Sequence, residues 1–443
     1  MENLYTYIDN NLNRFIEELF SLVRQPSVST DKENIQKCAE LVASRLEEVG
    51  AESQIITTKG NSIVFGRIKS TSSRNTLLIY GHYDVKSPGD HAQWASPPFE
   101  PAVRGERMYG RGISDNKSGV LAHIKAVEAL QKTREDPGIN VKFVFEGEEE
   151  IGSPSLKQFV EENRDILRSD AFIRADGEGH ETGRPIIRLG NKGMLTVELE
   201  ATMANRDLHS SRAAVVPSPV WEIIWALSSM KDRADRVLIE GFYDGVRPIT
   251  SQERELLQRM PTGEQELLES IGLNSFIANV RGVDYAEKLL YSPTFNLSGI
   301  QCGGPNPLPH KASVILEIRL TPDQDPTDIF NKLVRHIERN NFKIKATKRE
   351  VLYPDATRLD SPFIQIVIEA VKQVWKKDPI IQPRGAGSGP YYYFANILGI
   401  PLVSLPFSPF DCNAHAANEN VTINGFANAI KVTATILKHF AQA

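Results

Sequence analysis

Apolar and polar residues alternate with two distinct periods along the chain, and the period changes near its middle. Residues 4–24 place Ile8, Leu12, Phe15, Ile16, Leu19 and Leu22 at helical spacing, and Pro26 stops that helix. Residues 34–49 predict a second amphipathic helix, ended at Gly50. Strand-like runs follow at 55–56, 62–68 and 76–80, then a polar, proline- and glycine-rich loop over 86–107. A helix is predicted over 116–131, with Val120, Ile124, Val127 and Leu130 on one face. A compact apolar strand over 141–145, a helix over 155–167 and a short strand over 171–173 continue the alternation. Strands alternating with helices predict an α/β fold, a mixed, mostly parallel sheet with helices on both faces.

Past Gly190 the pattern becomes one of strands wet on one face. Leu195, Val197, Leu199 and Ala201 alternate with Thr196, Glu198 and Glu200, and Val314 to Leu320 repeats the pattern. Helices are predicted over 220–230 and 325–340, a polar, helix-rich segment over 251–270, and a basic strand over 343–351. This reads as an α+β domain, residues 191–352, inserted into a first domain formed by residues 1–190 and 353–443. The chain then returns to helices over 362–375, 391–398 and 423–440, with a glycine-rich loop at 384–390 and a strand at 401–405.

Composition narrows the function classes. A net charge of −5 over 443 residues supplies no basic field for nucleic acid or for an anionic membrane surface. Cys38, Cys302 and Cys412 are scattered and form no CxxC, which argues against a disulfide framework or a thiolate zinc site and for free thiols in the cytoplasm. No signal-peptide pattern and no apolar run of membrane-spanning length is present, so a cytoplasmic protein is expected.

The candidate chemistry follows the strands. His82 and Asp84 come after the run 77–79, Glu148 to Glu150 after the strand 141–145, and Asp176 after 171–173. Asp115 precedes a helix, and His415 follows the strand near Leu402. Ligands of open α/β sheets bind beyond the carboxyl ends of the strands, so these groups can converge. Imidazoles and carboxylates without thiolates suit Zn²⁺, Mn²⁺ or Co²⁺. The set is too large for one catalytic zinc and suits two metals sharing a carboxylate. Of adjacent glutamates, one can ligate while its neighbour acts as general base, but chemistry alone leaves the register open.

Other groups take bland readings. His91, His123, His180, His310, His336 and His439 are expected to be structural, Glu146 a strand-end hydrogen-bonding group, and Glu148 a solvated charge. Residues 385–389 lack the lysine and spacing of a phosphate loop, and Ser388 lacks a nucleophile-elbow pattern. Tyr391 to Phe394 is expected to be helix packing.

The motifs nevertheless form a recognisable series: G-H-Y-D-V at 81–85, G-R-G-I-S-D-N-K-S-G at 110–119, E-G-E-E-E-I-G-S at 146–153 and D-G-E at 176–178. R-D-L-H-S at 206–210, P-T-F-N-L-S-G at 293–299, the strand with Arg319, G-A-G-S-G-P at 385–390 and N-A-H-A-A-N-E at 413–419 complete it. The chain thereby resembles the M20 metallopeptidases, in particular the carnosinase-like dipeptidases. The resemblance implies a catalytic domain with an inserted lid and dimerisation domain, and two divalent ions per subunit, zinc foremost, with manganese or cobalt as alternatives. The family pattern E-G-x-E-E-x-G-S makes Glu149 the general base and Glu150 a ligand. His82, Asp115, Asp176 and His415 complete the metal set, with Asp115 bridging. Asp84 would orient His82. The resemblance further implies a cis peptide at Asp115-Asn116, and substrate contacts from Arg319, Asn296 and Ser388. It also implies a homodimer in which His209 reaches the partner's site to stabilise an oxyanion. The expected activity is hydrolysis of dipeptides or short peptides with a free C-terminal carboxylate. The alternatives are an N-acyl-amino-acid amidohydrolase and a catalytically silent metal-binding scaffold.

Overall fold

Strand Thr76–His82 shows why the first part of the chain forms a covered sheet. Leu77 and Ile79 on one face and Leu78 and Tyr80 on the other are all buried, so neither face meets water. Each such side chain contributes about 1.5–3 kcal/mol on burial. The computed structural model describes residues 1–70, 75–135, 138–303 and 307–443, and these divide into two compact units.

The first unit holds an eight-stranded sheet. Its order is Glu52–Ile56, Ile63–Ile68, Asn140–Glu146, Thr76–His82, Ala171–Arg174, Leu402–Ser404, Ile186–Arg188 and Ile380–Gln382. Thr76–His82 runs parallel to both its neighbours, and Leu402–Ser404 runs parallel to Ala171–Arg174, so the centre of the sheet is parallel. The strands Thr76–His82, Asn140–Glu146 and Ala171–Arg174 therefore open at one edge. Leu77 and Ile79 share a core with Val120, Leu121 and Ile124 of helix Ser118–Lys132 and with Ile430 and Leu437 of helix Ile423–Phe440. Tyr80, on the opposite face, stacks on Phe172 and meets Phe394 edge-on. Tyr391 to Phe394 are buried, as their expected packing role requires.

Two long helices expected from periodicity are each broken once. Helices Glu2–Asn10 and Leu12–Arg24 separate at Asn11, and Leu156–Glu162 and Arg164–Leu167 separate at Asn163. In both cases the asparagine side-chain Nδ2 donates to the carbonyl four residues earlier, Tyr7 at 2.8 Å and Phe159 at 2.9 Å, in competition with the helix ladder. The expected loop 86–107 also differs. Ala102–Arg104 and Arg107–Tyr109 form a hairpin, which Asn420–Thr422 extends to three strands. That pairing fixes the segment bearing His415 beside the turn bearing Asp115.

The second unit comprises Asn191–Asp355 and Arg384–Tyr392. Residues 353–355 and 384–392 thus pack with this unit. The cause is local. The Arg384 guanidinium is buried 4.0 Å over the Tyr291 ring and 3.6 Å from Glu253, and Lys192 N donates to Gly387 O at 3.0 Å. A four-stranded antiparallel sheet runs Asn296–Cys302, Lys311–Leu320, Gly193–Thr202 and Ile344–Leu352. Leu195, Val197 and Leu199 meet Leu316, Ile318 and Leu320 in a core closed by helices Pro219–Met230 and Pro326–Arg339. The helix-rich segment expected over 251–270 is two helices, Ser251–Gln258 and Glu264–Ile271, interrupted where Gly263 adopts a positive φ of 57°.

Candidate metal centre

The site is assembled at the carboxyl edge of the parallel strands. His82 ends strand Thr76–His82 and is fully buried. Its Nδ1 lies 3.1 Å from the Asp84 backbone oxygen and 3.3 Å from Asp84 Oδ1. Its Nε2 is buried and makes no hydrogen bond among the described residues, although Asp115 Oδ1 is only 2.9 Å away. A buried imidazole nitrogen and a carboxylate oxygen at that distance, misaligned for hydrogen bonding, suit a shared cation.

Asp115 lies in the turn Ile113–Lys117, and its peptide bond to Asn116 is cis. The other Asp115 oxygen is 3.0 Å from His415 Nε2, which is also 3.0 Å from Glu150 Oε2. Two donor groups result, each with ligand atoms within 4.8 Å of one another. One is His82, Asp115 and Asp176; the other is Asp115, Glu150 and His415. Asp115 is common to both, as a bridging carboxylate must be. Nitrogen and oxygen donors in this arrangement fit two divalent ions.

The electrostatics agree with a site built for positive charge. Asp115 and then Glu150 raise the His415 pKa to about 10. Burial works against protonation of His82, but the adjacent carboxylates of Asp115 and Asp84 outweigh it and hold its pKa well above the ordinary value. Burial, then Asp115, raises the Asp176 carboxyl, while Arg174 Nη1 donates to Asp176 Oδ2 at 2.6 Å and opposes that shift. Glu149 stands outside both donor groups, half-buried, with its carboxyl pushed up to about 7 by burial and by Asp115 and Asp176, against the pull of His82.

Around these groups lies a layer of fixed hydrogen bonds. Asp84, fully buried, accepts from Ser29 Oγ at 2.7 Å and from the backbone N–H groups of Glu149 and Glu150 at 3.2 and 3.0 Å. It thus holds the glutamate turn as well as flanking His82. Asn116 Nδ2 donates to Ala175 O at 2.7 Å, tying the Asp115 turn to the segment that leads to Asp176. Sequence reading passed over Glu419. It is fully buried, pairs with Arg111 at 2.6 Å and accepts the backbone N–H groups of Gly112, Ser114 and Asp115 at 2.8, 2.8 and 2.9 Å. It ends the motif that carries His415, so one short segment supplies both a donor and the clamp on the aspartate common to the two donor groups.

Glu148 corrects an expectation. It is buried rather than solvated, and accepts the backbone N–H groups of Asn61 at 2.9 Å and Ser155 at 3.2 Å. Gly60 makes this possible, since a Cβ there would come within 1.6 Å of the carboxylate. Glu146, at a strand end, accepts from Tyr80 and from Ser153 Oγ at 2.9 Å. His123 is structural as expected. Its Nε2 accepts from Ala175 N at 3.1 Å, and burial lowers its pKa to about 3.

The remaining expected site residues lie in the second unit. Arg319 Nη1 donates to Ser388 Oγ at 2.9 Å, and its Nε to Glu317 Oε1 at 3.0 Å. Asn296 is exposed at the start of its strand and lines the same cavity as Arg319. His209 is exposed on the short strand Leu208–His209, where its Nδ1 accepts from Ser211 N at 3.2 Å. That bond assigns the neutral-ring proton to Nε2 and leaves Nε2–H as a donor.

Comparison with known proteins places this geometry in a family. The chain is 34% identical to a solved M20 family metallo-carboxypeptidase, Sso-CP2 from Sulfolobus solfataricus, with a TM-score of 0.89 over 97% of this chain and 99% of that one. It is 25% identical to the Cys-Gly metallodipeptidase of Candida albicans over 100% of this chain and 98% of that protein. It is 24% identical to the Beta-Ala-His dipeptidase of Homo sapiens over 100% of this chain and 93% of that protein. The model of peptidase family M20/M25/M40 matches residues 78–439, from the strand that ends in His82 to the last helix, and the chain is therefore a metallopeptidase belonging to that family.

Proposed function

We propose that this metallopeptidase hydrolyses dipeptides and short peptides that carry a free C-terminal carboxylate. Two divalent ions would be held by His82, Asp115 and Asp176 and by Asp115, Glu150 and His415, with zinc the foremost candidate and manganese or cobalt as alternatives. The chemistry supplied by such a pair is Lewis-acid polarisation of the scissile carbonyl and easier deprotonation of water.

The observation that carries this reading is the position of Glu149. It neighbours the ligand Glu150 yet lies outside both donor groups, with its carboxyl pushed up to about 7. A carboxylate so placed takes a proton from the attacking water and passes it to the leaving amine. Asp84 holds the turn that presents it, and flanks His82. His209, with Nε2–H free to donate, is assigned to the oxyanion and is supplied by the partner subunit of a homodimer. Arg319, Asn296 and Ser388 are assigned to the substrate's carboxylate and backbone, for which the Arg319 fork is suited.

The names of the relatives, two dipeptidases and a carboxypeptidase, are those of enzymes acting on peptides, which supports peptide substrates over N-acyl amino acids. Among the described residues no helix is long and apolar enough to cross a membrane. A cytoplasmic homodimer is part of the same proposal. The test is a panel of dipeptides, tripeptides and N-acetyl and N-succinyl amino acids, assayed with Zn²⁺, Mn²⁺ or Co²⁺. Hydrolysis confined to the free-carboxylate peptides is expected. Turnover of the acylated amino acids alone would overturn the proposal.

A further inference from the structure

We propose that a cavity within the second unit receives the side chain of the substrate's C-terminal residue and selects a large apolar one. This rests on the function proposed above, and in particular on Arg319 as the carboxylate's partner. The cavity, of about 730 Å³, is lined by Asn296 and Arg319 and walled by Tyr243, Phe276, Ile277, Tyr285 and Leu289.

Three observations point to this occupant. The first is the state of the walls. Tyr243, Ile277 and Leu289 are 43, 57 and 43% exposed, and the Phe276 and Tyr285 rings lie 4.7 Å apart. Large apolar groups left open in a concavity beside a few polar ones are the usual make-up of a ligand pocket.

The second is covalent geometry. A C-terminal residue's carboxylate and side chain leave the same Cα. Once Arg319 holds the carboxylate, that side chain must occupy space next to Arg319, and this cavity is space that Arg319 lines.

The third is charge. The cavity is bordered by five lysines and arginines and two carboxylates, which repels a lysine or arginine side chain. Several of these cations are already engaged. Lys192 Nζ donates to the carbonyls of Leu289 and Ser292, both at 2.6 Å, and Lys231 pairs with Asp235. These two brace the walls instead of offering a site for an anionic side chain, and the larger part of the pocket's free surface is apolar.

The experiment is kcat/KM for Ala-Gly, Ala-Leu, Ala-Phe, Ala-Asp and Ala-Lys with the metal-loaded enzyme. Ala-Leu and Ala-Phe should exceed Ala-Gly by roughly 10–200-fold, the range in which apolar pockets discriminate. Ala-Lys should fall below Ala-Phe by at least as much. Ile277→Asp, at a half-exposed wall position, should collapse the ratio of Ala-Phe to Ala-Gly. Equal values for Ala-Gly and Ala-Phe, or a maximum at Ala-Asp or Ala-Lys, would overturn the pocket and leave the dipeptidase reading standing. No hydrolysis of any dipeptide would overturn both.

Discussion

The carboxylate of Asp84 accepts the backbone N–H of Glu150 at 3.0 Å, so the residue that flanks one histidine of the site also holds the turn bearing a member of the other donor group. Asp84→Asn keeps the shape but replaces one acceptor oxygen by an NH₂ group, which must then face a donor. Hydrogen-bond partners of ligands typically carry 10–100-fold in metal affinity or activity. A fall of roughly that size in kcat, with weaker metal retention, is expected on comparing metal content and turnover of the variant and the parent. Unchanged values for both would remove this role.

Much of this arrangement was readable from residue order. The strands ending at His82, near Glu149 and near Asp176 were legible because buried parallel strands are uninterrupted apolar runs. The glutamate register was not legible from chemistry, and the family pattern supplied it. Asn11 and Asn163 broke helices whose apolar spacing runs on through them, because periodicity does not register a side chain that bonds its own backbone. Glu148 and Glu419 were missed for a related reason. Each has partners far along the chain, Asn61 N–H for Glu148 and Ser114 N–H for Glu419, and a carboxylate that ends up buried looks the same in sequence as a wet one. Arg384 shows the limit for domains: one buried guanidinium over Tyr291 draws a loop into a unit whose other residues lie far earlier in the chain.

Metal uptake should be linked to protons. The His415 pKa is raised to about 10 by Asp115 and Glu150, so the metal-free protein carries that imidazole protonated at neutral pH. A cation that takes the same three groups must displace the proton. Its apparent affinity should therefore rise about tenfold per pH unit for each proton displaced, levelling off above about pH 10. Zinc titration calorimetry in buffers of different ionisation enthalpy measures the number released. Release of fewer than one proton per chain at pH 7 would contradict the arrangement.

Acid sensitivity of the fold should involve Glu128. It pairs with Lys125 at 2.7 Å and with Arg14, and accepts from Tyr7 Oη at 2.9 Å. Burial works against its charge, but Arg14 and Lys125 outweigh that and lower its pKa from 4.5 to about 2. A depressed folded-state pKa contributes stability that is full above about pH 4.5 and is lost as the pH falls toward 2. Glu128→Gln should cost about 2–3 kcal/mol at pH 7 and flatten the stability profile across that window. Urea unfolding at pH 7, 5 and 3 reads both effects, and parallel profiles for parent and variant would refute the assignment.

The proposed mechanism turns on the division of labour between Glu149 and Glu150, and Glu149→Gln tests it most directly. Metal content and kcat are to be measured on the same preparation. Two divalent ions per chain are expected, as in the parent, with kcat reduced by roughly 10²–10⁴-fold, the usual worth of a general base. Loss of metal, or turnover near the parent's, would contradict it.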